Sequence, residues 1–84
     1  MDVFFHKNFE KQFRKLPKGI QKKFVERLAL LQSEPASVLL HIHTLQGDKY
    51  PYESMNVTAD YRALFLRNRE GLTFHEIGTH SELY

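Results

Sequence analysis

Tyr61-Arg62-Ala63-Leu64-Phe65-Leu66-Arg67-Asn68, then Arg69-Glu70-Gly71, then Leu72-Thr73-Phe74-His75-Glu76-Ile77-Gly78 is the stretch that decides the fold. Two apolar-rich runs separated by three residues ending in glycine read as strands joined at hairpin length. In the first run Tyr61, Ala63 and Phe65 alternate with Arg62, Leu64 and Leu66, so both faces are largely apolar. Such a strand belongs in the middle of a sheet, with helices covering one side. Upstream, Tyr50 to Val57 reads as a further strand, joined to Tyr61 through Thr58-Ala59-Asp60. The three strands make an antiparallel meander. Pro51 has no N–H to contribute to a ladder, which disfavours a central position for the start of that strand.

The first 34 residues have a different period. Val3-Phe4-Phe5 is a short β-prone opening that is expected to join the same sheet. Asn8 is placed to cap a helix, because its side chain accepts from a free first-turn amide. Phe9, Phe13 and Leu16 follow at helical spacing, and Pro17 stops that helix near Leu16. Pro17-Lys18-Gly19 reads as a tight turn. Ile20, Phe24, Leu28 and Leu31 then mark a second amphipathic helix ending before Pro35. The short link makes the pair a helical hairpin. The expected architecture is α+β and two-layered, a helical hairpin packed on a small antiparallel sheet, as a single domain over residues 1–84.

Composition bounds the function. There is no cysteine among the 84 residues, which excludes disulfides, thiolate nucleophiles and Cys-ligated metal centres. The longest apolar run, Leu28-Ala29-Leu30-Leu31, is far short of the roughly 20 residues a membrane span needs. Met1-Asp2-Val3-Phe4-Phe5-His6-Lys7 lacks the basic start and apolar stretch of a signal peptide, so the expected compartment is the cytoplasm, with no membrane partner. Charge is unevenly spread. Residues 1–34 hold eight Lys and Arg against four Asp and Glu, a net +4, and residues 35–84 hold four against six, a net −2. The basic surface therefore lies on the helices, where Lys11, Arg14, Lys15, Lys18, Lys22 and Lys23 face an anionic partner, either nucleic acid or an acidic protein segment, or simply solvent.

Five histidines, His6, His41, His43, His75 and His80, are many for this length. His6 and His75 read as structural. His41 and His43, two apart, share a face if the segment is extended, but no third ligand has metal-site spacing, so no metal is assigned. Phosphate-loop, nucleophile-elbow and zincin motifs are absent.

His43-Thr44-Leu45-Gln46-Gly47, Asp60-Tyr61-Arg62 and Ile77-Gly78-Thr79-His80-Ser81-Glu82-Leu83-Tyr84, in this order behind a basic helical hairpin, resemble the RelE superfamily of type II toxin–antitoxin toxins, nearest the YafQ-like branch. The resemblance covers nearly the whole chain. It implies a ribosome-dependent endoribonuclease that cuts mRNA, with a cognate antitoxin, the ribosome and mRNA as partners, and operator DNA met only through the antitoxin complex. It carries acid–base roles to His43, Asp60 and His80, a phosphate-binding role to Arg62 and a supporting aromatic role to Tyr84. Asn56 departs from the pattern, standing where the YafQ-like branch has another histidine; asparagine hydrogen-bonds but does not titrate. Two alternatives remain: a gyrase-inhibiting toxin of the ParE type, without nuclease activity, and an inactive relative that only binds its antitoxin.

The same residues suit the chemistry on their own terms. RNA cleavage by its own 2′-hydroxyl needs a base at that hydroxyl, an acid at the 5′-oxygen and positive charge on the phosphate. Histidine, titrating near pH 6.5, performs either proton task at neutrality, and aspartate acts as a base or orients a histidine. An arginine grips two phosphate oxygens and a tyrosine stacks on a base. No cofactor is needed.

Overall fold

The computed structural model describes residues 1–84. Strand β1 (Asp2–Phe5) leads into helices α1 (Lys7–Arg14) and α2 (Lys18–Ser33). A 3-10 turn (Val38–Leu40), a two-residue strand β2 (His43–Thr44) and a second 3-10 turn (Gly47–Lys49) follow. Strands β3 (Glu53–Asn56), β4 (Tyr61–Arg67) and β5 (Gly71–Thr79) form the meander, and a one-turn helix α3 (His80–Leu83) ends the chain. The sheet has five strands in the order β1-β5-β4-β3-β2. The α+β class, the helical hairpin, the meander and the central place of β4 are as the sequence predicts. The sheet is mixed, however, because β1 runs parallel to β5, with Asp2 opposite Gly71 and Phe5 opposite Phe74.

One extra residue in β5 controls what the sheet buries. Phe65 pairs with Phe74 and Leu64 with Glu76, so His75 bulges out of the ladder. In a regular strand Phe74 and Ile77, three apart, would face opposite sides. The bulge turns both into the main core. That core joins Phe9 of α1, Phe24 and Leu31 of α2, Leu40, Val57 just past β3, and Met55, Ala63, Phe65, Leu72, Phe74 and Ile77 of the sheet. Its centre is aromatic: Phe24 meets Phe9 and Phe74 with ring centroids 5.2 Å apart in both pairs. On the opposite face Leu64, Leu45 and Leu83 make a smaller core under α3.

Helix α1 starts earlier than Asn8 predicts. The cap is His6, whose Nδ1 accepts the Asn8 N–H at 3.0 Å. The residue leaving β1 already has the extended backbone a cap requires, and imidazole Nδ1 stands where an asparagine oxygen would. Asn8 has another task. Its side-chain amide donates to the His75 carbonyl at 3.0 Å, and one turn later Gln12 Oε1 accepts the Ile77 N–H at 2.8 Å. These two side chains, on one helix face, pair the edge of β5 where β1 has ended. Helix α1 also closes at Arg14 rather than Leu16, and Pro17 caps α2 directly, so the turn falls at Lys15-Leu16 and not at Pro17-Lys18-Gly19. Gln21 donates to the carbonyls of Phe13 and Leu16 and clamps this corner. Strand β3 begins at Glu53, not Tyr50, because the 3-10 turn and Pro51 occupy the residues before it.

Gly71 lets β1 dock. It has a φ of +150°, and a Cβ there would collide with the Asp2 carbonyl. Gly71→Ala is expected to push β1 off the edge of β5 and to cost at least about 1–3 kcal/mol. A thermal melt checks this, since each kcal/mol moves the midpoint by about 4–8 °C in a domain of this size.

Candidate active site

The sheet face away from α1 and α2 carries a cavity of about 360 Å³ lined by His41, His43, Leu45, Arg62, His80 and Tyr84. Four of the five residues singled out for chemistry, His43, Arg62, His80 and Tyr84, therefore meet in one place although 41 positions separate the first and last in the sequence. Strand alternation explains the face. Ala63 points into the main core, so its neighbours Arg62 and Leu64 point away from the helices.

His80 and Tyr84 are set by α3. Thr79 and Glu82 form a reciprocal cap: Glu82 Oε1 accepts the Thr79 N–H at 2.7 Å and the Thr79 hydroxyl accepts the Glu82 N–H at 3.3 Å. The Thr79 backbone bond, and then its side chain, hold the Glu82 carboxyl below its ordinary range. This contribution to stability is present above ordinary carboxylate values and is lost as pH falls through the lowered one. Gly78 provides closeness: a Cβ there would stand 3.0 Å from Glu82 Oε1 and 3.6 Å from Leu83 Cδ2, so glycine lets α3 lie against β5. The His80 N–H donates to the Asp60 carbonyl at 2.9 Å, the Tyr84 N–H to the His80 carbonyl at 3.0 Å, and the Tyr84 phenol to the buried Ser54 Oγ at 2.9 Å. The His80 and Tyr84 rings lie 4.6 Å apart.

Arg62 sits opposite Gly78 on one side and Asn56 on the other. Its Nη1 donates to the carbonyls of Thr58, Ala59 and Tyr61 at 3.1, 2.8 and 3.3 Å, and its other nitrogens have no partner within the chain. One of the three guanidinium nitrogens is anchored and the other two are free for an anion. Asn56 Oδ1 beside it is buried without a hydrogen-bond partner. His43 opens β2 opposite Ser54, and its Nδ1 is 3.1 Å from the His41 carbonyl.

Asp60 is placed differently from expectation. The hairpin brings it next to His80 as the topology requires, but through its backbone carbonyl; its exposed side chain is not part of the cavity wall. His41 is the cavity residue that pattern reasoning missed. An extended 41–43 segment would put both rings on one strand face, whereas His41 has left-handed backbone angles (φ 47°, ψ 45°) at the end of the 3-10 turn. The two rings meet edge to face, 5.5 Å apart. No group of three or more His, Cys, Asp or Glu side chains is arranged to hold a metal ion.

The remaining histidines pair elsewhere. His6 and His75 stack 4.9 Å apart, with Tyr52 edge-on to His75 at 5.4 Å. Burial first, and then the charge of His6, lower the His75 pKa from its ordinary 6.5, against a smaller opposing pull from Glu76. The folded protein therefore takes up this proton later than the unfolded chain. Stability falls as pH drops below about 6.5 and stops falling below the lowered value. His6→Asn keeps a cap acceptor and removes the like charge, so it is expected to shrink this acid loss. Urea midpoints at about pH 7 and pH 5.5 test it, and an undiminished loss contradicts it.

Lys11, Arg14, Lys15, Lys18 and Lys22 are exposed on the helices, while Lys23 is partly covered and lies 3.7 Å from Glu26. The helices cover the other face of the sheet, so these cations do not line the cavity. Lys15 shares a depression with Gly78, Glu82 and Leu83 at the foot of α3. A larger groove of about 380 Å³ lies among Phe5, Phe9, Phe13, Phe24, Val25 and Leu28, and Glu10 and Arg14 are its only charged residues.

No family model and no curated protein matches the sequence. Solved structures do match its fold. YafQ from E. coli strain BL21(DE3) superposes with a TM-score of 0.83 at 22% identity, over 99% of this chain and 97% of its own. The E. coli DinJ–YafQ toxin–antitoxin complex gives 0.80 at 23%, over 99% and 96%. The archaeal RelE–RelB complex from Pyrococcus horikoshii OT3 gives 0.70 at 22%, over 92% and 91%. This chain has the RelE/YafQ fold along its whole length.

Proposed function

We propose that this chain is the toxin of a toxin–antitoxin pair and an endoribonuclease that cuts mRNA on the ribosome. The observation that carries this reading is the cavity itself: the imidazoles of His43 and His80, a guanidinium with two free nitrogens and an aromatic ring converge on one sheet face, in a fold shared with YafQ. His43 takes the 2′-hydroxyl proton, and the 2′-oxygen attacks phosphorus to close a 2′,3′-cyclic phosphate. The bond to the 5′-oxygen breaks, and the His80 imidazolium protonates that leaving oxygen. Arg62 holds the phosphate with its unpaired donors, and Tyr84 stacks on a base, worth about 1–3 kcal/mol. Asp60 orients His80 by accepting its backbone amide. Proton transfer of this kind supplies about 10²–10⁴-fold. No step requires a metal or cofactor. Purified protein added to ribosomes translating a defined mRNA is expected to release fragments ending in 2′,3′-cyclic phosphate; intact mRNA after long incubation contradicts the reading.

The cations of α1, α2 and the link between them grip ribosomal RNA. Each phosphate contacted by Lys11, Arg14, Lys15, Lys18, Lys22 or Lys23 adds about 0.7 to the log–log salt slope of binding. Reversing Lys15, Lys18 and Lys22 to Glu is expected to abolish ribosome binding with the melting midpoint retained. Binding that stays constant between about 50 and 300 mM salt overturns this role. A cognate antitoxin covers the cavity face in the cytoplasm and stabilises the fold by mass action, by about 2.7 kcal/mol at a hundredfold excess over its Kd. Operator DNA is met through that complex.

A further inference from the structure

We propose that His41 is a positioning residue whose backbone carbonyl locks His43 in the tautomer that a general base needs, an inference that rests on the nuclease reading above. A carbonyl oxygen only accepts, so the 3.1 Å contact between the His41 carbonyl and His43 Nδ1 places the ring proton on Nδ1. In neutral His43 the Nε2 lone pair is then free. An untethered imidazole in water divides between both tautomers, and the wrong one offers a proton where the base must take one.

The carbonyl is available because His41 is left-handed. Its N–H closes the 3-10 turn by donating to the Val38 carbonyl at 3.2 Å, and its backbone at φ 47°, ψ 45° turns the next peptide toward the start of β2. Residues other than glycine adopt this conformation uncommonly, with histidine among the more tolerant and β-branched residues true outliers. His41 is the only non-glycine residue in the chain with a positive φ, and it lines the cavity. Backbone strain of this kind persists where the surrounding structure demands it.

Two substitutions separate the carbonyl from the ring. His41→Val removes the ring and disfavours the left-handed turn; His41→Gly removes the ring and keeps the turn. The full-length proteins are compared by the imidazole ¹⁵N shifts of His43 above neutral pH and by kcat and KM on ribosome-bound mRNA. We expect His43 to carry its proton on Nδ1 in the wild-type protein and in His41→Gly, and to show mixed tautomers in His41→Val. The valine variant should lose about 10–100-fold in kcat, the scale of loss when a partner orienting a metal-bound imidazole is removed, with KM little changed. Glycine should restore most of that loss. A wild-type His43 protonated on Nε2 overturns the proposal. So does a valine variant with unchanged tautomer and rate, or a glycine variant as slow as valine with Nδ1 still protonated, which would give the task to the His41 ring. If the wild-type protein cleaves no RNA, the nuclease reading falls by itself, and the nitrogen shifts still decide whether His41 sets the tautomer.

Discussion

Glutamine in place of His80 is expected to slow mRNA cleavage by about 10²–10⁴-fold while ribosome binding persists. The side chain is exposed, and the bonds that fix its place, to the Asp60 carbonyl and from the Tyr84 amide, belong to the backbone. Glutamine keeps those bonds and an amide that donates, but it has no titrating proton. The loss should fall on kcat, since Arg62, Tyr84 and the helical cations still hold the RNA. Single-turnover cleavage on programmed ribosomes measures it. Near-wild-type cleavage by His80→Gln means that the leaving oxygen takes its proton from elsewhere, and the acid–base assignment fails.

Alanine in place of Phe74 is expected to cost about 3–5 kcal/mol, the usual loss for a buried phenyl ring. Phe74 is fully buried, with its ring centroid 5.2–6.0 Å from those of Phe5, Phe9, Phe24 and Phe65. At about 0.05–0.15 kcal/mol per residue, a chain of this length holds roughly 4–13 kcal/mol in total, so one substitution removes much of it. Val25→Ala on the exposed side of α2, where Val25 is 57% accessible, should change stability by no more than about 0.5 kcal/mol. Urea titration of both variants decides. A loss below about 1 kcal/mol at Phe74 would mean that the bulge at His75 does not turn that ring inward.

That bulge shows where sequence reading reaches its limit. The β4–β5 hairpin is legible because local alternation and a short glycine-ending link specify it, and the central place of β4 follows from its two apolar faces. A strict two-residue period, however, sends Phe74 and Ile77 to opposite faces, and only the partner strand reveals the extra residue. The parallel pairing of β1 is equally hidden, since its partner lies some 70 residues away and nothing in Asp2–Phe5 states a direction. Strand β2, two residues long, has no period at all. Asn8 is a cap by residue type, but His6 has the same acceptor geometry and the extended backbone, which frees Asn8 to pair the edge of β5. In the site, His43, Arg62, His80 and Tyr84 are legible as chemistry. Their meeting depends on the hairpin register and on α3, of which only the neighbourhood of Asp60 and His80 follows from loop lengths. The place of His41 in the cavity is not legible, because a left-handed histidine has no sequence signature.

The most direct test is to induce the chain in growing bacteria without an antitoxin and map the 5′ ends of all transcripts, beside His80→Gln. We expect new 5′ ends within translated regions, in phase with codons, absent from the His80→Gln culture. DNA breaks with no codon-phased mRNA cuts would contradict the account and point to a gyrase-inhibiting toxin on the same fold.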